Sequence, residues 1–243
     1  MNIKSIRYKH LLFICLFLFG ISIFSITLDM LILSLFSLMI FYFSQDAINH
    51  RHHSHNSIKV PNYLQPILLF LTVPLGTGSP IIDIAFHKWH HKYPDTPKDF
   101  YSMKHNLFAF LLREYDFKKM NINKIELFKE TSHLRKDKYM SFLHDYSNFI
   151  FLLLLFTLML INFNLGISVI VIPFLYHNII TNTIMHNLQH QKIFIDYFSK
   201  FVSYISFGLY TDHVYHHKNS SDPKVHKVDL FGHIYQKIGW SCY

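Results

Sequence analysis

The sequence predicts an all-α integral-membrane fold: four transmembrane helices in two hairpins, with a cytosolic helical cap carrying a di-metal histidine site. Three observations carry that expectation. Uncharged runs come in pairs, cations crowd the segments outside the pairs, and histidines cluster where the runs end. Of 243 residues, 51% are hydrophobic and 17% aromatic, with 25 Phe against 7 Gly, a balance that suits a membrane chain. One domain is expected over residues 1–243. The net charge of +8 alone would admit nucleic acid. Beside such apolar runs it points instead to membrane lipid, with no nucleic acid partner. Cys15 and Cys242 make neither a disulfide framework nor a CxxC knuckle, which suits a reducing cytosol.

The first pair of spans is expected at about 11–28 and 30–45, separated by Asp29. Spanning takes roughly 20 apolar residues, and each run approaches that length. Lys4, Arg7 and Lys9 resemble the basic start of a signal peptide. No small-x-small cleavage site follows and a second apolar run does, so an anchored pair is the better reading. The second pair is expected at about 148–161 and 165–180, joined near Asn162–Asn164, with Pro173 and His177 interrupting its second member. Cations precede the first pair, run densely from Arg51 to Lys138 between the pairs, and resume from Lys192 to Lys237, while both hairpin tips carry none. The positive-inside rule then puts both termini and the active site on the cytosolic face of a multi-pass protein. The apolar segment at about 64–86 holds Pro66, Pro74, Pro80, Gly76, Gly78 and Asp83, and is read as interfacial or re-entrant. Phe100 to Tyr146, charged and aromatic, are expected as helices on the cytosolic side.

Nineteen histidines are far too many for solvated surface alone. His50, His52, His53 and His55 follow the first pair, and His87, His90 and His91 follow the interfacial segment. His186 and His190 follow the last span, and His213, His216 and His217 come after them. The spacing HxxHH occurs twice, and on a helix its offsets place three imidazoles within about 100° of arc. Imidazole ligates Zn, Cu, Fe or Ni. A structural zinc saturates at four ligands, so a set of eight or more implies two metals.

The three boxes, HRHHSHNS (His50–Ser57), HKWHHKYPDTPKD (His87–Asp99) and His213-Val-Tyr-His-His217, together with Asn182-Thr-Ile-Met-His186, resemble the membrane fatty acid desaturase family, specifically its stearoyl-CoA (delta-9) type. The resemblance runs from the first hairpin to about Lys218. It implies nine histidines around two irons, with O2 as co-substrate. One iron would take His50, His55, His87, His91 and His217. The other would take His90, His186, His213 and His216, with Asn182 reaching it through a water. No catalytic residue beyond the metal site and no other cofactor-binding residue is expected. His52, His53 and His190 are expected beside the ligands, and His10, His105, His133, His144, His226 and His233 at the surface. Two departures stand out. Leu209-Tyr-Thr-Asp212 replaces the family's Gly-Glu-Gly and aromatic residue before the third box, and Phe100-Tyr-Ser102 replaces its Pro-His-Asn after Asp99.

The resemblance implies an O2-dependent acyl desaturase that puts a cis double bond into a CoA- or lipid-linked acyl chain. No flavin, nicotinamide or HPGG heme motif is present, so an external donor of ferredoxin or cytochrome b5 type is implied. A lipid or alkane hydroxylase or ketolase on the same scaffold is the alternative. A metal transporter fits poorly, because its ligands belong near the bilayer midplane. A metal-bearing protein with altered chemistry is the fourth reading.

Overall fold

The computed structural model describes residues 7–102, 111–185, 217, 221 and 229–240, and among them the regular structure is helical, with no β-strand. Helix α1 (Tyr8–Ser25) and helix α2 (Leu28–Ser54) are the first two elements. Their break falls two residues before the expected Asp29. Thr27, in extended conformation, caps α2 by accepting from the Met30 N–H at 3.4 Å. Asp29 then lies in the first turn of α2, where the positive end of the helix dipole favours a carboxylate. The helix also runs on beyond residue 45, where the span is expected to end. The helix continues through Gln45–Ser54 with the wider i→i+5 bonding of a π-helix. Polarity was a poor guide to that end, because the polar side chains bond one another: Gln45 Nε2 donates to Asp83 at 2.7 Å, and Asn49 Nδ2 to Gln45 at 2.9 Å.

Helix α3 (Gln65–Leu75) and helix α4 (Pro80–Lys92) meet at a bend of 81°. Gly76 makes the bend. Its φ of +64° ends α3 in the left-handed region, and a Cβ there would lie 2.2 Å from the Phe174 ring. Ser79 caps α4, accepting from the Ile82 N–H at 3.2 Å, with Pro80 at the first helical position. A short helix α5 (Lys124–Lys129) precedes α6 (Lys138–Ile161). The latter starts ten residues before the expected span, because Asp137 caps it there through the Tyr139 and Met140 N–H groups. Asn162 does the same for α7 (Phe163–Asn182), accepting from Asn164 and Leu165. Helix α8 (Leu230–Lys237) is capped by Asp229 and buries Phe231 and Tyr235.

Helices α1, α2, α6 and α7 are long and apolar enough to cross a bilayer; the bent α3–α4 pair makes a fifth if taken as one span. The outward surfaces agree with that medium. Phe13, Phe17, Phe24, Ile32, Phe36 and Leu160 are exposed, an arrangement costly in water and neutral in lipid. Inward, Leu11, Cys15, Tyr42, Ile84, Phe151 and Phe174 are almost wholly buried in a shared core. The molecule is a membrane protein. A second, smaller core of Trp89, Phe100, Met120, Ile122 and Leu127 packs on α4 and is edged by Phe86, Tyr115 and Phe117. It holds one face of α4 while the other face presents histidine.

Candidate metal centre

The histidines of α2 and α4 converge. His50, His55 and His87 each offer a ring nitrogen within 4.8 Å of the others. His91 joins them, with ring centroids 4.4 Å from His55 and 4.7 Å from His87. His217 stacks on His91 at 4.2 Å and lies 4.6 Å from His90. His90 is set further off, 6.3 Å from His87 and 5.8 Å from His91. His186, His213 and His216 lie outside the described residues, as do His105, His190 and His226.

Local geometry explains how two different spacings reach one centre. On α4, HxxHH needs only an ordinary α-helix. His50 and His55 are five apart, and an α-helix would aim them roughly 140° away from each other. Bonding i→i+5 closes that angle: the His55 N–H donates to the His50 carbonyl at 3.1 Å, and the two rings meet at 4.9 Å. The π-helix is the backbone that HxxxxH requires. A second one, Tyr176–Met185, likewise pairs residues five apart: Asn182 Nδ2 lies 3.0 Å from His177 Nε2. That places Asn182 against a buried histidine not foreseen as its neighbour.

Carboxylates orient the imidazoles from behind. His50 Nδ1 is 2.8 Å from Asp46 Oδ1, and His90 Nδ1 is 2.9 Å from Asp99 Oδ1, with both aspartates buried. Each contact occupies Nδ1 and so turns Nε2 toward the centre, the arrangement that fixes tautomer and raises ligand basicity at metal sites. Asp99 is itself held by the Asp95 and Tyr101 N–H groups, both at 2.9 Å. Burial, then the charges at His50 and Arg51, pushes the His55 imidazolium down to about 2; burial, then His55 and His217, pushes His91 well below the histidine range. Both are therefore neutral, the form that binds metal.

The donor set fits a transition metal. His55 Nε2 and His87 Nε2 are 2.8 Å apart, too close for two lone pairs without a proton or a cation between them. Two nitrogens so placed could share one cation, and imidazole suits Zn, Cu, Fe or Ni.

Asp46 lies one helical turn before His50, a spacing already present in the sequence. Asp99 was noticed within its box without a role. Arg113 was missed: its guanidinium donates to the Thr77 carbonyl and to Asn178 Oδ1, both at 2.8 Å, tying the bend after α3 to α7. Of the expected surface histidines, His10 and His133 are exposed. His144 is corrected: it faces α4, half-buried, with Nδ1 2.6 Å from Ser79 Oγ. His233 is also half-buried, because α8 packs inward. His52 sits beside the site with Nδ1 3.2 Å from the Ile58 carbonyl.

Over 68 residues, 28% of its length, the chain is 35% identical to Delta-9 acyl-lipid desaturase 2 of Arabidopsis thaliana. Over 95 residues, 39% of its length, it is 30% identical to Acyl-CoA C20 Delta5-desaturase of Anemone leveillei. The chain resembles the fatty acid desaturases. The matches span 22% and 30% of those two relatives. No protein-family model matches the chain. The likeness to desaturases and the histidine cluster point the same way: apolar helices suited to a membrane, with a group of histidines that could hold a metal ion.

Proposed function

We propose that the protein is a membrane-bound, O2-dependent di-iron desaturase that introduces a cis double bond into a fatty acyl chain. The observation that carries this reading is the convergence of His50, His55 and His87 from two helices of unlike geometry. One iron is assigned to His50, His55, His87, His91 and His217, and the other to His90, His186, His213 and His216, with Asn182 at one water's remove. The chemistry supplied by such a pair, when bound, is the reduction of O2 to two waters, with two electrons taken from the acyl chain and two from an external donor.

The chain's own residues bind and orient. Asp46 and Asp99 hold His50 and His90 at Nδ1. A cavity of about 960 Å³ runs beside α4, lined by Phe86, Phe117, Phe128, Ile82 and Leu112, with Arg7, Lys9 and Lys118 also on its wall. An acyl chain suits such a lining, and holding it there would present one methylene to the centre while excluding water. Phe86 is adjacent in sequence to His87, and Tyr101, also on the cavity wall, meets the His90 ring at 5.2 Å. The α1–α2 and α6–α7 pairs are read as two hairpins with α3–α4 re-entrant, so that termini, histidines and the surrounding helices form a cytosolic cap. The cationic face suits an acidic electron carrier of ferredoxin or cytochrome b5 type.

Expression in a host of simple fatty acid profile, with double bonds located by mass spectrometry, tests the reading. A new monoenoic acid that disappears in His90→Ala is the expected result. A hydroxylated lipid would make the protein a hydroxylase on the same scaffold. An unchanged profile with metal bound and reductase supplied would refute acyl chemistry.

A further inference from the structure

The contacts behind His50 continue past the histidines into the C-terminal helix. Asp46 touches His50 with Oδ1 and accepts from Arg51 Nε with Oδ2 at 2.6 Å. Arg51 Nη2 then donates to Asp229 Oδ2 at 2.7 Å. The side chains of Asp46, Arg51 and Asp229 are all at most 3% exposed, so each charge depends on its neighbours rather than on solvent. The guanidinium also lies 5.4 Å from the centre of the Tyr235 ring on α8.

We propose that Asp229 is a positioning residue for the metal centre, acting on His50 through Arg51 and Asp46. The inference rests on the metal-centre reading above. Asp229 uses its two oxygens for separate tasks. Oδ1 caps α8 by accepting from the Gly232 N–H at 2.8 Å, and Oδ2 holds Arg51. Arg51 can orient Asp46 only while its far end is fixed, because a guanidinium is a rigid planar fork. Release that end and the plane of the Asp46 carboxylate is no longer set, nor is the direction in which His50 presents Nε2. Helix α8, which follows the last histidine box, thereby becomes part of the centre.

The chain purified in detergent would be titrated with Co2+ as a spectroscopic stand-in for iron, by calorimetry and visible absorption, alongside thermal melting of the metal-free protein. Asp229→Asn keeps the cap, since Asn caps helices as well as Asp does, and removes the charge facing Arg51. Ile234→Ala loosens the same helix by trimming a half-buried apolar side chain that packs against the core, and removes no polar contact with the charged chain. Expected is a loss of about ten-fold or more in Co2+ affinity at one site, with an altered spectrum, in Asp229→Asn, and none in Ile234→Ala. Equal affinity in Asp229→Asn and the parent chain would overturn the proposal, as would an equal loss in Ile234→Ala. If Asp229→Asn does not fold, Arg51→Lys decides: it keeps the charge and loses the fork, so an unchanged Co2+ affinity overturns the proposal and a weakened one supports it. A parent chain that binds no Co2+ would instead refute the metal centre itself.

Discussion

Replacing Asp99 by Asn should separate the support of a ligand from the ligand itself. Asp99 is fully buried and, among the contacts of the described residues, accepts with Oδ1 from His90 Nδ1 and the Tyr101 N–H, and with Oδ2 from the Asp95 N–H. The amide is nearly isosteric but carries only one acceptor oxygen. If that oxygen stays with His90 and Tyr101, the new NH2 faces the Asp95 N–H and one buried bond is lost, at about 1–3 kcal/mol. The other orientation breaks two bonds and is disfavoured. His90 also loses a charged acceptor. Support of this kind is worth about 10–100-fold in metal affinity, or roughly 1.4–2.7 kcal/mol. Metal content after dialysis against a graded chelator, measured beside the melting temperature, reads both effects. The variant should lose one metal first and keep the other. Retention of both metals at parental chelator concentrations, with an unchanged melting temperature, would refute the reasoning.

Gly76→Ala should destabilise the protein by about 3 kcal/mol, combining a left-handed backbone with a methyl group inside the buried Phe174 ring; Gly20→Ala, with open space around it, should melt like the parent. Tyr42→Phe deletes the buried hydroxyl bonded to Thr181 Oγ1 and should cost about 1 kcal/mol, read in the same melts. Acid should strip metal and stability together. His55 and His91 stay neutral in the fold and take up a proton when unfolded, so stability is full above about pH 6.5 and falls below it, by at most about 1.4 kcal/mol per pH unit for each group. Melting temperature and retained metal measured from pH 8 to pH 5 should decline together below pH 6.5, and a flat profile would contradict the burial of these two rings.

The apolar helices were legible because a lipid-facing helix tolerates few charged side chains, so absence of charge marks its extent. Their ends were less so. The break between α1 and α2 is set by the capping of Thr27 rather than by the charge of Asp29, and α6 begins at Asp137 because a cap, not hydropathy, starts a helix. The α2 histidines were legible as a cluster, yet the π-helix that unites His50 with His55 was not, since residue propensities do not distinguish i→i+5 from i→i+4 bonding. Asp229 left no local trace at all. It meets Arg51 across 178 positions of sequence, and only the folded chain brings the two together.

The widened turn at Gln45–Ser54 also governs how the chain tolerates changes in length. Each residue removed from a helix rotates everything beyond the cut by about 100°. Within this stretch each backbone hydrogen bond closes over one more residue than in an α-helix, so a single-residue deletion offers it an easy retreat to the ordinary helix. Composition, hydropathy and every histidine would survive such a deletion. The phase would not: a residue lost between Asp46 and His50 would part His50 from His55, and loss of Ser54 would turn Arg51 away from Asp46. For this segment, spacing is a stricter requirement than residue identity, and a lost codon would do more harm than most exchanged ones.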